Sequence, residues 1–509
     1  MKQIKYILTS RWLITGLLIL LQILFLIGLI LEISNYFYYV QIGLVVISFI
    51  TAFSIINYHT NPMFKLPWIF VIFFFPLFGG VFYWLFGRKY ISKSYSNKVR
   101  TQHLEEERYW REDYLIRKEL KQKSMLAATQ SHYIYQYADM PLWNQTDTNY
   151  YPVGEDYFQD LMFHLKQAKK FIFLEFFIIH EGHMWDSILT ILKEKAKQGL
   201  DIRIIYDDIG CIDLLPKNYS KTLLNDGIHC IPFNRFVPIL SVFHNNRDHR
   251  KIVIIDGDIA FTGGINLADE YINVRKRFGH WKDTAVRLIG PGVWNFTLLF
   301  LDSWNQLKKT DETYDTFRPN NSKNEVNAGF VQPFGDSPFD REMIGETVYL
   351  NIIHQAKKYI YINTPYLILS YELIVALTGA AKRGVEVRIT TPHIPDKWYI
   401  HIITQSYYET LLEAGVQIYE YQPGFLHAKS FLADDEIGVI STINLDYRSL
   451  VHHYECGVWM YQTKALEQLK QDHEQMKKIS IPIDLNFCRK IPWYKRWVKD
   501  LLQLFAPLL

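Results

Sequence analysis

Apolar residues crowd into the first ninety positions of the chain, where they run on without charge instead of alternating with polar ones. Trp12 to Leu31 is an uncharged stretch of 20 residues, Tyr36 to Asn57 is a second, and Pro67 to Gly87 is a third. As a helix, each is long enough to cross about 30 Å of hydrocarbon, so residues 1–90 are expected to form a transmembrane anchor. A cleaved secretory leader is the competing reading of the first run, but its apolar stretch is too long and no small-residue cleavage site follows it. Buried core helices are the other reading, and three such runs in succession with basic flanks argue against it. Flanking charge gives two answers on orientation. Lys2, Lys5 and Arg11 favour an inside N-terminus, and the basic cluster from Arg88 to Arg100 places the following chain inside as well. Three full spans cannot satisfy both, although Pro76, Gly79 and Gly80 would let the third run dip and return.

Beyond residue 90 the pattern changes. Residues 91–133 form a charged, helix-prone linker in which EEERYWREDYLIRKELKQK alternates in sign, as on a solvated helix. The body then repeats itself. QAKKFIFLEFF begins at Gln167 and QAKKYIYINTPY at Gln355, 188 positions later; AKQGLDIRII begins at Ala196 and AKRGVEVRIT at Ala381; LLNDGIHCI begins at Leu223 and LLEAGVQIY at Leu411. In each copy a helix-like run ending in glycine leads into a β-branched strand such as Ile202 to Tyr206 or Val387 to Thr391. Strands alternating with amphipathic helices predict an α/β fold with buried, mostly parallel strands. Two copies, over 134–325 and 326–485, predict a pseudo-twofold sandwich rather than a solenoid. In the remaining tail, 486–509, Trp493, Trp497, Leu501 and Phe505 fall four apart on one helical face, with Lys495, Arg496 and Lys499 elsewhere. An interfacial helix and a helix packed on the body both fit that spacing.

The chemistry concentrates in two stretches, HRKIVIIDGDIAFTGGIN from His249 and HAKSFLADDEIGVISTIN from His427. Both read H-x-K-x4-D. The candidate catalytic residues are His249, Lys251 and Asp256 in the first copy and His427, Lys429 and Asp434 in the second, and each His is followed 17 positions later by Asn266 or Asn444. One such motif is weak, but two with matched asparagines on an independent repeat are not. On a strand, His and Lys two apart point the same way, so an imidazole can attack phosphorus while the ammonium holds a phosphate oxygen. Lys251, Lys429, Asn266 and Asn444 are expected to bind the substrate phosphate, and the His of the other copy to protonate the departing alkoxide. For Asp256 and Asp434 a turn role is favoured, because Asp256 precedes Gly257 and Asp434 precedes Asp435. A neutral imidazole needs an acceptor for its other nitrogen, and Asp283 in HWKDT and Glu455 in HHYECG are the nearest downstream carboxylates of each copy. The H-x-K spacing puts a cation where a second metal ligand would be wanted, so neither metal nor cofactor is expected.

With 55 Lys+Arg against 52 Asp+Glu in 509 residues, the net charge is only +3, unlike the basic surface of a nucleic-acid binder. The length favours more than one domain. Cysteines at 211, 230, 456 and 488 show neither zinc-site pairing nor disulfide density and are read as reduced, buried thiols.

The paired motifs, the repeat and the GG-x-N and ST-x-N tails resemble the phospholipase D superfamily over about residues 130 to 485. That resemblance implies an α/β fold and a phosphohistidine mechanism. PWIFVIFFFPLFGGVFYWLFGR, HRKIVIIDG, GHWKDT and NLDYRSL are similar to segments of bacterial cardiolipin synthases. The implied reaction moves a phosphatidyl group from one phosphatidylglycerol to another and releases glycerol, at the bacterial cell membrane, with multiple spans and the body on the cytoplasmic side. Phosphatidylglycerol and anionic membrane lipid are the implied partners, and no nucleic acid is expected. A phospholipase D-type hydrolase, a phosphatidylserine-forming transferase and a non-catalytic membrane scaffold are the alternatives. The chain departs from the superfamily's usual Gly-Ser or Gly-Thr before x-N. It has Gly263-Gly264, without a hydroxyl expected near phosphate, and Ser441-Thr442, without a glycine at a tight position.

Overall fold

The computed structural model describes residues 20–29, 31–32, 38–57, 62–76, 78–84, 107–236, 245–308, 312–319, 329–339, 342–490 and 492–506. Part of the first apolar run and both basic flanks of the anchor lie outside these residues. The second run is helical over Tyr38–Asn57. The third does not continue as one helix. Pro76 follows the end of helix Pro62–Phe74, and the chain re-enters a short helix at Gly79–Phe82. All three helices pack on one another, and glycine makes this possible: a Cβ on Gly80 would meet Ser48 Cα at 2.7 Å, and one on Gly79 would meet Ile72 Cα at 2.6 Å. The Gly80 N–H donates to the Ser48 hydroxyl. The third run thus doubles back. Among the described residues no helix is long and apolar enough to cross a membrane, so the expected three-span anchor is not reproduced.

The charged linker is not one solvated helix in its described part. It forms helices Tyr114–Lys123 and Met125–Ala138, N-capped by Asp113 and Ser124, and the second buries Ala127, Ser131 and Ile134 against the body.

The body contains two sheets of matching topology. The first is built from β1 (Asp147–Tyr151), β2 (Phe171–Phe176), β3 (Asp201–Asp207), β4 (His229–Phe233), β5 (Lys251–Ile255), β6 (Ile259–Gly263) and β8 (Ala285–Ile289), in the order β1-β8-β6-β5-β2-β3-β4. The short β7 (His280–Lys282) stands apart from it. The second sheet uses β9 (Phe330–Asp336), β10 (Tyr359–Asn363), β11 (Glu386–Pro392), β12 (Gln417–Tyr421), β14 (Ser430–Ala433), β15 (Ile437–Ser441), β16 (Glu455–Tyr461) and β17 (Ser480–Ile483). Its order, β9-β16-β15-β14-β10-β11-β12-β17, repeats the first with β17 added at the edge. The remaining strand, β13 (Gly424–Leu426), pairs with β7.

The sheets are mixed rather than mostly parallel, which corrects the sequence reading. Helices link β2 to β3 and β3 to β4, and those strands pair in parallel. Only a short turn joins β5 to β6, and β14 to β15, and such a turn allows only antiparallel neighbours. One hydrophobic core runs through both repeats: Ile252, Ile254 and Val286 of the first sheet share it with Val439 and Val458 of the second and with helix Val293–Lys308. The four cysteines are free thiols; Cys211, Cys456 and Cys488 are buried and Cys230 is partly so.

Candidate active site

Both motif histidines sit where a strand of one repeat meets the other repeat. Arg247, in a buried ion pair with Asp207 at the end of β3 (Nε–Oδ2 2.9 Å), ties down the approach to β5. Asp248 then bridges in parallel to Tyr454, and the His249 N–H donates to the Tyr454 carbonyl at 2.9 Å. One residue beyond Tyr454 is Glu455, whose carboxylate oxygens lie 2.9 and 3.0 Å from His249 Nδ1. The second half mirrors the first. β13 runs parallel to β7, the His427 N–H donates to the Lys282 carbonyl at 2.7 Å, and His427 Nδ1 lies 2.6 Å from Asp283 Oδ2. The carboxylates are therefore exchanged: Asp283, downstream of the first motif, serves the second histidine, and Glu455 serves the first. Because each Nδ1 faces a carboxylate, Nε2 is the nitrogen left for chemistry.

Lys251 opens β5 and Lys429 immediately precedes β14, and each ammonium donates to its own histidine's carbonyl. Both are buried to 2% exposure or less. Burial pushes Lys251 down to about 8, and burial with repulsion from Lys251 pushes Lys429 down to about 7. Burial, then Lys251 and His453, hold His249 well below the usual imidazole range. His427 is lowered to about 4 by burial and Lys429, against the opposing pull of Asp283. Burial raises Glu455 well above the carboxylate range, opposed by Lys251. Repelling cations held together in a buried site are preorganised for an anion.

The other sequence candidates divide. Asn266 spans the pocket wall: its amide nitrogen donates to the Tyr271 hydroxyl at 2.7 Å and its oxygen accepts from the Ile178 N–H. Asn444 is buried, and its carbonyl oxygen has no partner. Asp256 and Asp434 lie at the far ends of β5 and β14, away from the histidines. Each has a positive φ and accepts three successive backbone N–H groups, from Lys169, Lys170 and Phe171 and from Lys357, Lys358 and Tyr359. That geometry fits the turn role, not direct catalysis.

The departures at the x-N tails also find a physical cause. A Cβ on Gly264 would lie 2.1 Å from Asp283 Oδ1, so the Asp283 carboxylate takes the space a side chain would need. At the equivalent place in the second copy the Thr442 hydroxyl donates to Glu455 Oε2. The position thus contacts the carboxylate behind the histidine, and a phosphate contact is not needed to explain it. Gly263 adopts φ +149° against the Thr284 carbonyl, whereas Ser441 avoids positive φ and bonds the Tyr349 hydroxyl at 2.7 Å.

Sequence reasoning missed the walls. Tyr271, Trp281 and Phe425 stand around His427 with ring centres 5.6, 5.6 and 5.7 Å away. Phe177 and His453 stand around His249 at 5.0 and 5.4 Å. Aligning HWKD with HHYE places Trp281 and His453 at one repeat position, the only sequence signal that points to them. His249, His453 and Glu455 also bring donor atoms within 4.8 Å of one another, close enough among the described residues for a cation. They fit one poorly, because His249 Nδ1 and Thr442 already occupy the Glu455 oxygens and the Lys251 ammonium adds like charge.

The family model described as "Cardiolipin synthase, PLD-like domain" matches residues 161–276 and 349–477, and "Phospholipase_D-nuclease N-terminal" matches 46–88. A Streptococcus mutans protein described as uncharacterized is 41% identical over 89% of this chain and 98% of its own. A cardiolipin synthase of Geobacillus sp. is 33% identical over 90% of this chain and 91% of its own. The fold is similar to that of phosphatidylserine synthase from Haemophilus influenzae, with a TM-score of 0.55 at 14% identity, covering 74% of this chain and 97% of the other. Two matched repeats, the matched N-terminal segment and near full-length relatives agree with the paired histidine site: the chain belongs to the cardiolipin synthase family of phospholipase D-like proteins.

Proposed function

We propose that the protein is a cardiolipin synthase that moves a phosphatidyl group between two phosphatidylglycerol molecules. The observation that carries this reading is the exchanged pair of imidazole–carboxylate contacts, which makes one buried site from both repeats with two ammonium groups beside it. His249 Nε2 attacks phosphorus, the P–O bond to glycerol breaks, and His427 gives its proton to the departing oxygen. The same His427 then takes the proton of the second lipid's hydroxyl, whose oxygen displaces His249. The electrostatics favour this assignment. The attacking imidazole must be neutral, and burial with the Lys251 charge holds His249 in that form; at His427, which burial also lowers, the Asp283 carboxylate opposes the lowering and so supports a proton there. Lys251 and Lys429, with Asn444 and the second N–H of Asn266, meet charge on the phosphate oxygens, and no step calls for a metal.

The apolar N-terminal helices hold the body at the bacterial membrane. Exposed side chains on helix Tyr38–Asn57, Phe49, Ile50 and Phe53 among them, and Phe73 and Phe74 on the next helix support that placement. The Arg88–Arg100 cluster favours the cytoplasmic face.

The deciding experiment incubates purified full-length protein with vesicles containing labelled phosphatidylglycerol. Cardiolipin and glycerol should appear in equal amounts. Phosphatidic acid as the sole lipid product would make the protein a hydrolase instead.

A further inference from the structure

His453 lies in the site, yet the transfer just described does not use it. It is 9% exposed, both ring nitrogens are buried without a hydrogen-bond partner, and its Nδ1 stands 3.6 Å from Glu455 Oε1, beyond hydrogen-bond reach. Its ring centre is 5.4 Å from that of His249 and 6.5 Å from that of Phe177. A buried imidazole without partners is costly unless a ligand completes it, and such groups in native proteins call for an explanation. Its location beside the attacking histidine supplies one.

The repeat sharpens the point. His453 and Trp281 each stand two positions before an orienting carboxylate, and each packs against the histidine that this carboxylate holds. The Trp281 ring nitrogen is likewise buried and unpartnered. An indole only donates, whereas an imidazole can donate and accept. At this repeat position the two half-sites differ: an imidazole stands against His249 where an indole stands against His427.

We propose that His453 is a substrate-binding residue whose ring N–H donates to a non-bridging oxygen of the phosphodiester held on the His249 side. This rests on the phosphatidyl-transfer reading for the identity of the lipid, but not for the contact itself, which any phosphate monoanion in the site would make. No bond is made or broken at His453.

The test compares His453→Phe, which keeps the ring against His249 and Phe177, with His453→Asn, which keeps a donor. Inorganic phosphate serves as the probe, both as a competitive inhibitor of lipid transfer and in direct titration of the detergent-solubilised full chain, with EDTA present throughout. Losing a hydrogen bond to a charged oxygen should weaken phosphate binding and raise KM for phosphatidylglycerol by roughly tenfold or more in His453→Phe. His453→Asn should recover most of that loss, with kcat changed less than KM in both. An unchanged phosphate affinity in His453→Phe overturns the proposal, as does a wild-type chain that binds no phosphate, or a loss confined to kcat and thermal stability. If phosphate binding weakens as expected but the wild-type protein makes no cardiolipin, the lipid reading fails while the assignment of His453 stands.

Discussion

Adding a single methyl group at Gly264 should disable the second histidine, His427, 163 positions away in sequence (427 − 264). The added Cβ would fall 2.1 Å from Asp283 Oδ1 and 2.8 Å from its Cγ, far inside contact distance. Asp283 is fully buried and held by two hydrogen bonds, from His427 Nδ1 at 2.6 Å and from the Thr284 N–H at 2.8 Å. The carboxylate is a side-chain end and can move, so the fold survives, but moving it breaks the bond that orients His427. A hydrogen bond involving a charged group is worth about 1.5–3 kcal/mol, and about 1.4 kcal/mol is a factor of ten in rate, so kcat of Gly264→Ala should fall by roughly ten- to a hundredfold. Gly264→Ser restores the hydroxyl usual in the superfamily but carries the same Cβ, and should fall equally. Conversion of labelled phosphatidylglycerol to cardiolipin, with thermal unfolding as the control for folding, measures both. Wild-type kcat in Gly264→Ala, or a gain in Gly264→Ser, would refute the reasoning, because the hydroxyl and not the space would then be what matters.

Exchange of the carboxylates makes its own forecast: with His249 as nucleophile, acid quenching during turnover should trap lipid phosphate on the His249 peptide. Glu455→Gln, the change in the other repeat, should reduce that adduct far more than Asp283→Asn does; label found only on the His427 peptide would reverse the assignment. His249→Ala and His427→Ala should each abolish turnover, and the double variant should be no worse, since nucleophile and acid act as a unit; a tenth of wild-type activity in either single variant would sink the two-half-site reading. Activity should also fall on the alkaline side unusually early. Lys429 and Lys251 are cations only below about 7 and 8 respectively, so kcat/KM for the free enzyme should decline across that window, not near the ordinary lysine value of 10.5, and a profile flat to pH 9.5 contradicts it. The C-terminal helix Trp493–Phe505 packs on helix Trp398–Ser406 with Leu502 toward the core, yet Trp497 and Leu501 remain exposed at 74% and 54%. Replacing both by Ser should weaken binding to anionic vesicles on the order of tenfold without lowering thermal stability, and unchanged binding would leave that helix a purely structural element.

Several features were legible because they depend on neighbours in the chain. A strand puts residues two apart on one side, so H-x-K already placed each imidazole beside its lysine. An Asp followed by Gly or Asp is a turn signal, and Asp256 and Asp434 do open the turns after β5 and β14, each with a positive φ. The same Asp256-Gly257 turn also signals a hairpin, and reading it as one would have given the antiparallel β5–β6 pair in place of mostly parallel strands. In the N-terminal segment, run length suggested three spans, while Pro76, Gly79 and Gly80 offered a third run that dips and returns. What hydropathy does not weigh is the break at Pro76 and the glycine contacts that fold the third run back on helix Tyr38–Asn57.

By itself, then, the sequence determined the repeat, the two motifs, the chemistry that paired histidines and lysines can perform, and the family. Tertiary structure alone decided which carboxylate holds which histidine. Those contacts join residues 206 and 144 positions apart, and they exist because β13 pairs with β7 and Asp248 with Tyr454, so each histidine lies next to the other repeat's carboxylate. The same long-range packing gave Gly264 its reason and brought His453 into the pocket. Spacing along a chain fixes which side of a strand a residue faces, but not which distant strand arrives to meet it.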